Sequence, residues 1–270
     1  MSGNSPLKEA DREAIRIIER AQENGLTLRL IGGIAIKVRC KSAQHRALAR
    51  DYADIDFVGY QKQRKQLKSF IPELGYQSRE LFNAMQGERL IFNDMKNKRR
   101  LDIFLNKLNM CHKFDFKNRL QQHELTLSPA DLLMTKIQVV EATEKEVKDI
   151  LALMLDFPIV EKDEKDAING VYVASICADD WGIYKTFTIN IDKILQLLPS
   201  YMDDSKNTGI VKQRLEELRR MIIDAPKSAS WKLRSVIGEK KRWYELPEAD
   251  RAIVNSKLVQ DATKLRTDIA

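Results

Sequence analysis

Cysteine is scarce in this sequence: Cys40, Cys111 and Cys177 are the only three in 270 residues. They are odd in number, widely separated and without C-x-x-C spacing, which argues against a disulfide framework or a zinc ribbon. Structural thiols are expected. Histidine is equally sparse, and His112 and His123 have no partner at ligand spacing, so structural or exposed imidazoles are expected. No apolar run approaches the roughly 18 to 20 residues that cross a bilayer. The opening stretch, MSGNSPLKEADREAIRIIER, is charged throughout and lacks the apolar segment of a secretory leader. A soluble, cytoplasmic protein with no membrane partner is the expectation. Internal repeats and low-complexity tracts are also missing.

Neither sign of charge is lacking. Lys and Arg number 46 against 39 Asp and Glu, a net charge of +7. That excess suits an acidic partner such as nucleic acid or a nucleoside triphosphate, but the near balance makes it a weak signal. With 43% apolar and 31% charged residues, a disordered or collagen-like chain is excluded. The length favours two packed units over one.

Residues 8 to 24 carry Ala14, Ile17, Ile18 and Ala21 at helical spacing, closed by Asn24-Gly25. LTLRLI then runs into Gly32-Gly33 and IAIKV, the pattern of a strand, a glycine turn and a helix. ADIDFV (53–58) alternates acidic and apolar residues as a second strand, and Gln61 to Leu74 is again amphipathic. Three extended runs are expected over RELFNAMQGERLIFNDMKNKRRLDIFLNKL, with turns at Gln86-Gly87 and Lys96-Asn97-Lys98. From Ser128-Pro129-Ala130-Asp131, a helix start with a capping hydroxyl and an early proline, helical patterns dominate. They cover 129–141, 144–155, 164–177, 190–198, 206–223 and 247–266. The fold class read from this is α+β: a small mixed sheet flanked by helices over 1–125, followed by an α-helical domain over 126–270.

The informative constellation is Gly32-Gly33, then Asp54-x-Asp56, then Asp102. Strand side chains alternate, so Asp54 and Asp56 share a face while Ile55 and Phe57 bury on the other. Asp102 has the same setting within Arg100-Leu101-Asp102-Ile103-Phe104-Leu105. Paired carboxylates on one edge repel, unless they face water or a divalent cation bridges them; magnesium prefers oxygen ligands and keeps phosphate oxygens in its shell. Three carboxylates on adjacent strands would suit metal-assisted displacement at phosphorus. A Gly-Gly turn opening a helix lets backbone N–H groups approach a phosphate, although it is also plain turn chemistry.

LIGGIAIKVRC, YADIDFVG and RRLDIFL together resemble the nucleotidyltransferase superfamily related to DNA polymerase beta. Within it the chain resembles the AbiEii-type group, through Leu133-Met134-Thr135-Lys136-Ile137 and Lys148-Asp149. The resemblance spans about residues 28 to 155. It implies that Gly32 and Gly33 cradle a triphosphate, that Asp54, Asp56 and Asp102 bind Mg2+ or Mn2+ and carry catalysis, and that Lys136 binds phosphates. Asp149 would sit near the nucleotide or brace the site. The activity implied is transfer of an NMP from an NTP to an acceptor hydroxyl, the acceptor being a small molecule or RNA. A toxin-like enzyme acting on tRNA under the control of an antitoxin-like protein, or an inactive nucleotide-binding module, are the alternatives. This chain departs from the group at Glu146 and Ala152 and in the Ile34-Ala35 that follow the glycines.

Other residues have two readings each. Lys136 falls on or beside the buried stripe of its helix, as a phosphate ligand or as a lysine whose ammonium reaches water along its stem. Asp149 lies on the polar flank of its helix, where an ordinary solvated acid is the other reading. Lys37, Arg39, Lys41, His45, Arg46 and Arg50 crowd the stretch between glycines and D-x-D. Arg46 and Arg50 are the candidates for phosphate contact there, and a solvated basic face is the other reading. KSASWKLRSVIGEKKR (227–242), with Trp243-Tyr244 beyond it, is either an RNA-binding segment or an amphipathic helix with its Trp inward. Asp179-Asp180-Trp181 reads as a helix end with a buried Trp.

Overall fold

The computed structural model describes residues 5–45 and 47–246. The helix expected over 247–266 lies outside the described residues. Chain order runs α1 (Ala10–Glu23), β1 (Leu28–Ile31), α2 (Gly32–Arg39), β2 (Ile55–Gly59), α3 (Arg64–Glu73), β3 (Gln77–Ser78), α4 (Glu80–Met85), β4 (Arg89–Asp94) and β5 (Arg99–Leu105). Two small pairs and the helices follow: β6 (Lys107–Asn109), β7 (Lys113–Asp115), α5 (Pro129–Ile137), α6 (Glu144–Asp156), β8 (Ile159–Val160), β9 (Ile168–Asn169), α7 (Gly170–Asp179), α8 (Trp181–Tyr201), α9 (Ser205–Asp224) and α10 (Ala229–Ile237). The class is α+β, with a small mixed sheet flanked by helices and a helical C-terminal region.

The main sheet has the order β1-β2-β5-β4-β3, in which β2 and β5 pair parallel and the other neighbouring strands antiparallel. Alternation in the sequence sets the face. Ile55, Phe57, Leu101 and Ile103 are fully buried, so the residues between them must look the other way. The outer edge of β1 is covered by the chain just before α5: Leu30 N–H donates to Leu125 O at 2.8 Å, and Leu127 N–H to Leu30 O at 3.1 Å. A strand edge is thereby closed, and α5 is delivered directly beside the end of β1.

At the start of α5 the Ser128 hydroxyl accepts from Asp131 N–H. Arg119 clasps Asp131 at 3.0 Å and Asp163 at 2.7 Å. Its guanidinium also lies 3.9 Å from the Tyr172 ring centroid. The helix ends at Ile137 rather than 141 because Asn190 Nδ2 donates to the Ile137 and Val139 carbonyls, at 2.7 and 2.9 Å. One hydrophobic cluster runs from Ala14 on α1 to Ile222 on α9, through the sheet and α5 to α8.

Three further expectations change. Glu80–Met85 is a helix, not an extended run, because the Asn83 amide takes both backbone groups of Ile91, accepting at 2.8 Å and donating at 2.9 Å. One side chain there does what a neighbouring strand would do. The helix placed at 164–177 starts only at Gly170, where Asn169 caps Tyr172 N–H, after Ile168–Asn169 has paired with Ile159–Val160. The one placed at 190–198 is part of the longer α8, which begins at Trp181 because Asp180 caps Ile183 N–H at 3.0 Å. Trp181 is buried there, the helix end expected of Asp179-Asp180-Trp181. No helix among the described residues is long and apolar enough to cross a membrane.

Candidate active site

The parallel register of β2 and β5 sets Asp56 directly beside Asp102. On the other side of β2, Ile31 is the partner of Asp56, so the residue after β1, Gly32, lands against the same carboxylate. Gly32 has φ +69°, and a Cβ there would collide with Asp56 Oδ2. Glycine is required twice over, by conformation and by contact. Gly33 meets the Arg50 guanidinium and the Tyr52 ring in the same way. Gly32→Ala is therefore expected to cost more than Gly25→Ala, where φ is +67° but nothing lies within 4 Å. Left-handed backbone alone accounts for about 1–2 kcal/mol, and urea denaturation of the two variants isolates the remainder. Equal losses would remove the argument from close approach.

Asp102 is buried, 1% exposed. Its Oδ2 accepts from Arg89 Nη2 at 2.7 Å and pairs with Arg100 Nε at 3.1 Å. Its Oδ1 has no hydrogen-bond partner among the described residues. Asp56 is half-buried at the cleft; burial, then the neighbouring Asp102 charge, pushes its carboxyl up to about 6, while Lys136 and Arg100 oppose the shift. Asp54 precedes β2 and is turned toward Arg100, at 3.7 Å. The third carboxylate thus stands beside the other two but faces an arginine.

Lys136 and Asp149 are both buried and form an ion pair of 2.7 Å. Arg50 grips the same carboxylate with Nε at 2.9 Å and Nη2 at 2.7 Å and stacks 4.2 Å from the Tyr52 ring centroid. Asp149 is therefore no solvated acid, and Lys136 does not snorkel. Arg46 lies outside the described residues. His45 is exposed. His112, bonded to Thr186 at 2.8 Å, and His123, against Arg39, are each pushed down to about 4 by burial, with Arg39 adding to the shift at His123, so both are neutral at pH 7. The three cysteines are buried and free.

A cavity of about 470 Å³ opens over the carboxylates. Its lining includes Gly32, Gly33, Asp56 and Asp102 from the sheet and α2, Thr135 and Lys136 from α5, Glu146 from α6, and the side chains of Arg89, Arg100, Phe82, Phe104 and Met110. Arg50, Asp54 and Asp149 do not line it. No family model and no curated protein matches this sequence. Three solved structures are similar to it. One is the lincosamide antibiotic adenylyltransferase LnuA with lincomycin bound, at 16% identity over 54% of this chain and 98% of that one, TM-score 0.41. Another is the antibiotic-resistance factor ANT(2'')-Ia in solution, at 15% identity over 54% and 84%, TM-score 0.38. The third, an antigenic nucleotidyltransferase-like protein from Paracoccidioides brasiliensis, is 12% identical over 76% and 94%, TM-score 0.40.

The residues themselves fit a hard divalent cation on two observations. Asp102 Oδ1 is buried without a partner among the described residues, and burial together with the neighbouring Asp102 charge disfavours ionisation of Asp56. A cation between them would satisfy the first and relieve the second. Among the described residues no three His, Cys, Asp or Glu side chains close a ligand set alone; phosphate oxygens and water commonly complete such a shell. Sequence reading had no role for Arg89 and Arg100. For Arg100 a signal existed: it sits two before Asp102, as Asp54 sits two before Asp56, so D-x-D runs alongside R-x-D.

Proposed function

We propose that this protein is a nucleotidyltransferase that moves an NMP from an NTP to an acceptor hydroxyl, with Mg2+ or Mn2+ held by Asp54, Asp56 and Asp102. The observation that carries the reading is the Asp56–Asp102 pair in parallel register beside Gly32, at the floor of a cavity also walled by Lys136. When bound, the cation would polarise the α-phosphate and offset the charge that builds on it. Gly32 and Gly33, at the N-terminus of α2, offer backbone N–H groups to the phosphates. Lys136, Arg50 and Arg46 are the candidate cations for the triphosphate. Asp102, whose Oδ1 has no partner among the described residues, takes the acceptor proton; the acceptor oxygen bonds to the α-phosphorus, the bond to the β-bridging oxygen breaks, and pyrophosphate leaves. Asp149 braces Lys136 and Arg50. In this reading residues 1–125 form the catalytic core and 126–270 the helical domain that completes the cleft, which α5 and α6 support by supplying Lys136 and Glu146 to its wall.

One observation favours a second reading, a nucleotide-binding module without transfer: Lys136 and Arg50 are already engaged on Asp149, and Arg100 on Asp102. Incubation with each α-labelled NTP, Mg2+ or Mn2+, and a panel of small-molecule, protein and RNA acceptors separates the two. Transfer predicts labelled acceptor with stoichiometric pyrophosphate; label on tRNA would specify the toxin-like form, for which an antitoxin-like partner would be sought. NTP binding without pyrophosphate release supports the module. Neither binding nor release overturns both.

A further inference from the structure

Arg100 stands where a counter-ion to the carboxylate site would stand. The pairing of Ile55 with Leu101 and Asp56 with Asp102 sets it across from Asp54. Its guanidinium reaches Asp102 Oδ2 through Nε at 3.1 Å and Asp54 Oδ2 through Nη2 at 3.7 Å. It also acts electrostatically on Asp56. One cation thus pairs with two of the three carboxylates assigned above to the metal and acts on the third through its charge.

Arg100 is not alone on Asp102. Arg89 already pairs with the same oxygen at 2.7 Å. The two arginines differ in freedom: the Arg89 side chain is 18% exposed and lies 5.0 Å from the Phe104 ring centroid, whereas that of Arg100 is 45% exposed. Ion pairs made by so exposed a side chain are weak and readily exchanged. A guanidinium and a divalent cation held within a few ångströms of each other also repel strongly in a partly dry cleft.

We propose that Arg100 is a displaceable internal counter-ion: it bridges Asp54 and Asp102 while the cation is absent and swings out when the cation enters. Arg89 stays. The inference rests on the nucleotidyltransferase reading only in taking these carboxylates as the cation site. Its consequence is that Arg100 weakens cation binding while preventing mutual repulsion from splaying the empty site.

Mn2+ titration of the full chain, with free Mn2+ followed by electron paramagnetic resonance, tests this without any turnover. Arg100→Gln is expected to bind Mn2+ roughly five- to tenfold more tightly than wild type at low salt, the gain shrinking by about 0.5 M salt. Lys107→Gln, which removes an exposed charge from the lining of the same cavity, is expected to change the affinity less than about twofold. No tightening in Arg100→Gln, or equal tightening in Lys107→Gln, overturns the counter-ion role while leaving the metal site standing. Absence of Mn2+ binding by wild type, or binding undiminished in Asp56→Asn, overturns the carboxylate site and the counter-ion with it.

Discussion

Asp56→Asn is expected to lower transfer on the order of a thousandfold or more while making the metal-free protein more stable above pH 6. The two halves have one cause. Asp56 sits beside Asp102 in parallel register, and burial with that neighbouring charge pushes its carboxyl up to about 6. A carboxyl raised in the fold binds more protons folded than unfolded between roughly pH 4 and 6. Stability from this group is therefore present at low pH and falls as pH rises through that window, and the deficit is complete above it. Asparagine keeps the shape and cannot ionise. At pH 7.5 the variant should gain on the order of 2 kcal/mol, allowing for the part of the side chain open to the cleft, and its stability should lose the slope between pH 4 and 6. Added Mg2+ should raise the melting temperature of wild type and leave the variant unmoved. Urea denaturation across pH, together with pyrophosphate release, checks this. Transfer retained in the variant removes Asp56 from the reaction; a variant less stable than wild type at pH 7.5 removes the crowding argument.

That pair of carboxylates was legible in the sequence because strand periodicity is local. Alternation around Asp54-Ile55-Asp56-Phe57 and Leu101-Asp102-Ile103 places each acid on a face without knowledge of its neighbour. The glycine turn and the Ser128 cap were legible for the same reason, whereas the α8 start at Trp181 was not. What stayed hidden depends on side chains meeting across long stretches of chain. Arg50 and Asp149 are 99 positions apart, and Arg89 reaches Asp102 from the neighbouring strand, 13 positions away. Asp149 shows the failure most clearly. A polar flank on a helix normally faces solvent, yet here it faces two cations from other elements, and burial follows from the pairing. The Glu80–Met85 helix was hidden because the backbone of β4 is satisfied by the Asn83 amide, a partner no periodicity reveals.

Asp149→Asn carries the largest expected loss of stability, about 3–5 kcal/mol. Asp149 is 1% exposed and accepts from Arg50 twice and from Lys136 once. Removing its charge leaves a guanidinium and an ammonium facing each other with no anion between them, in a place that water reaches poorly. Breaking a buried pair costs more than the pair itself contributes, because the surviving charge is stranded. Two are stranded here. The loss should shrink when one is also removed: Lys136→Met combined with Asp149→Asn should be less destabilised than the two separate effects added, with a coupling above about 1 kcal/mol. Arg50 belongs to the chain before β2, Lys136 to α5 and Asp149 to α6, so the carboxylate ties the helical half to the glycine end of the sheet. Asp149→Asn should for that reason raise the apparent KM for NTP more than a surface substitution of equal stability cost would, because Lys136 and Arg50 lose the anchor that aims them. Urea denaturation of the single and double variants at low temperature, followed by NTP saturation curves on those that fold, measures both. A loss below about 1 kcal/mol would mean that the three groups are effectively solvated, and Asp149 would then brace nothing.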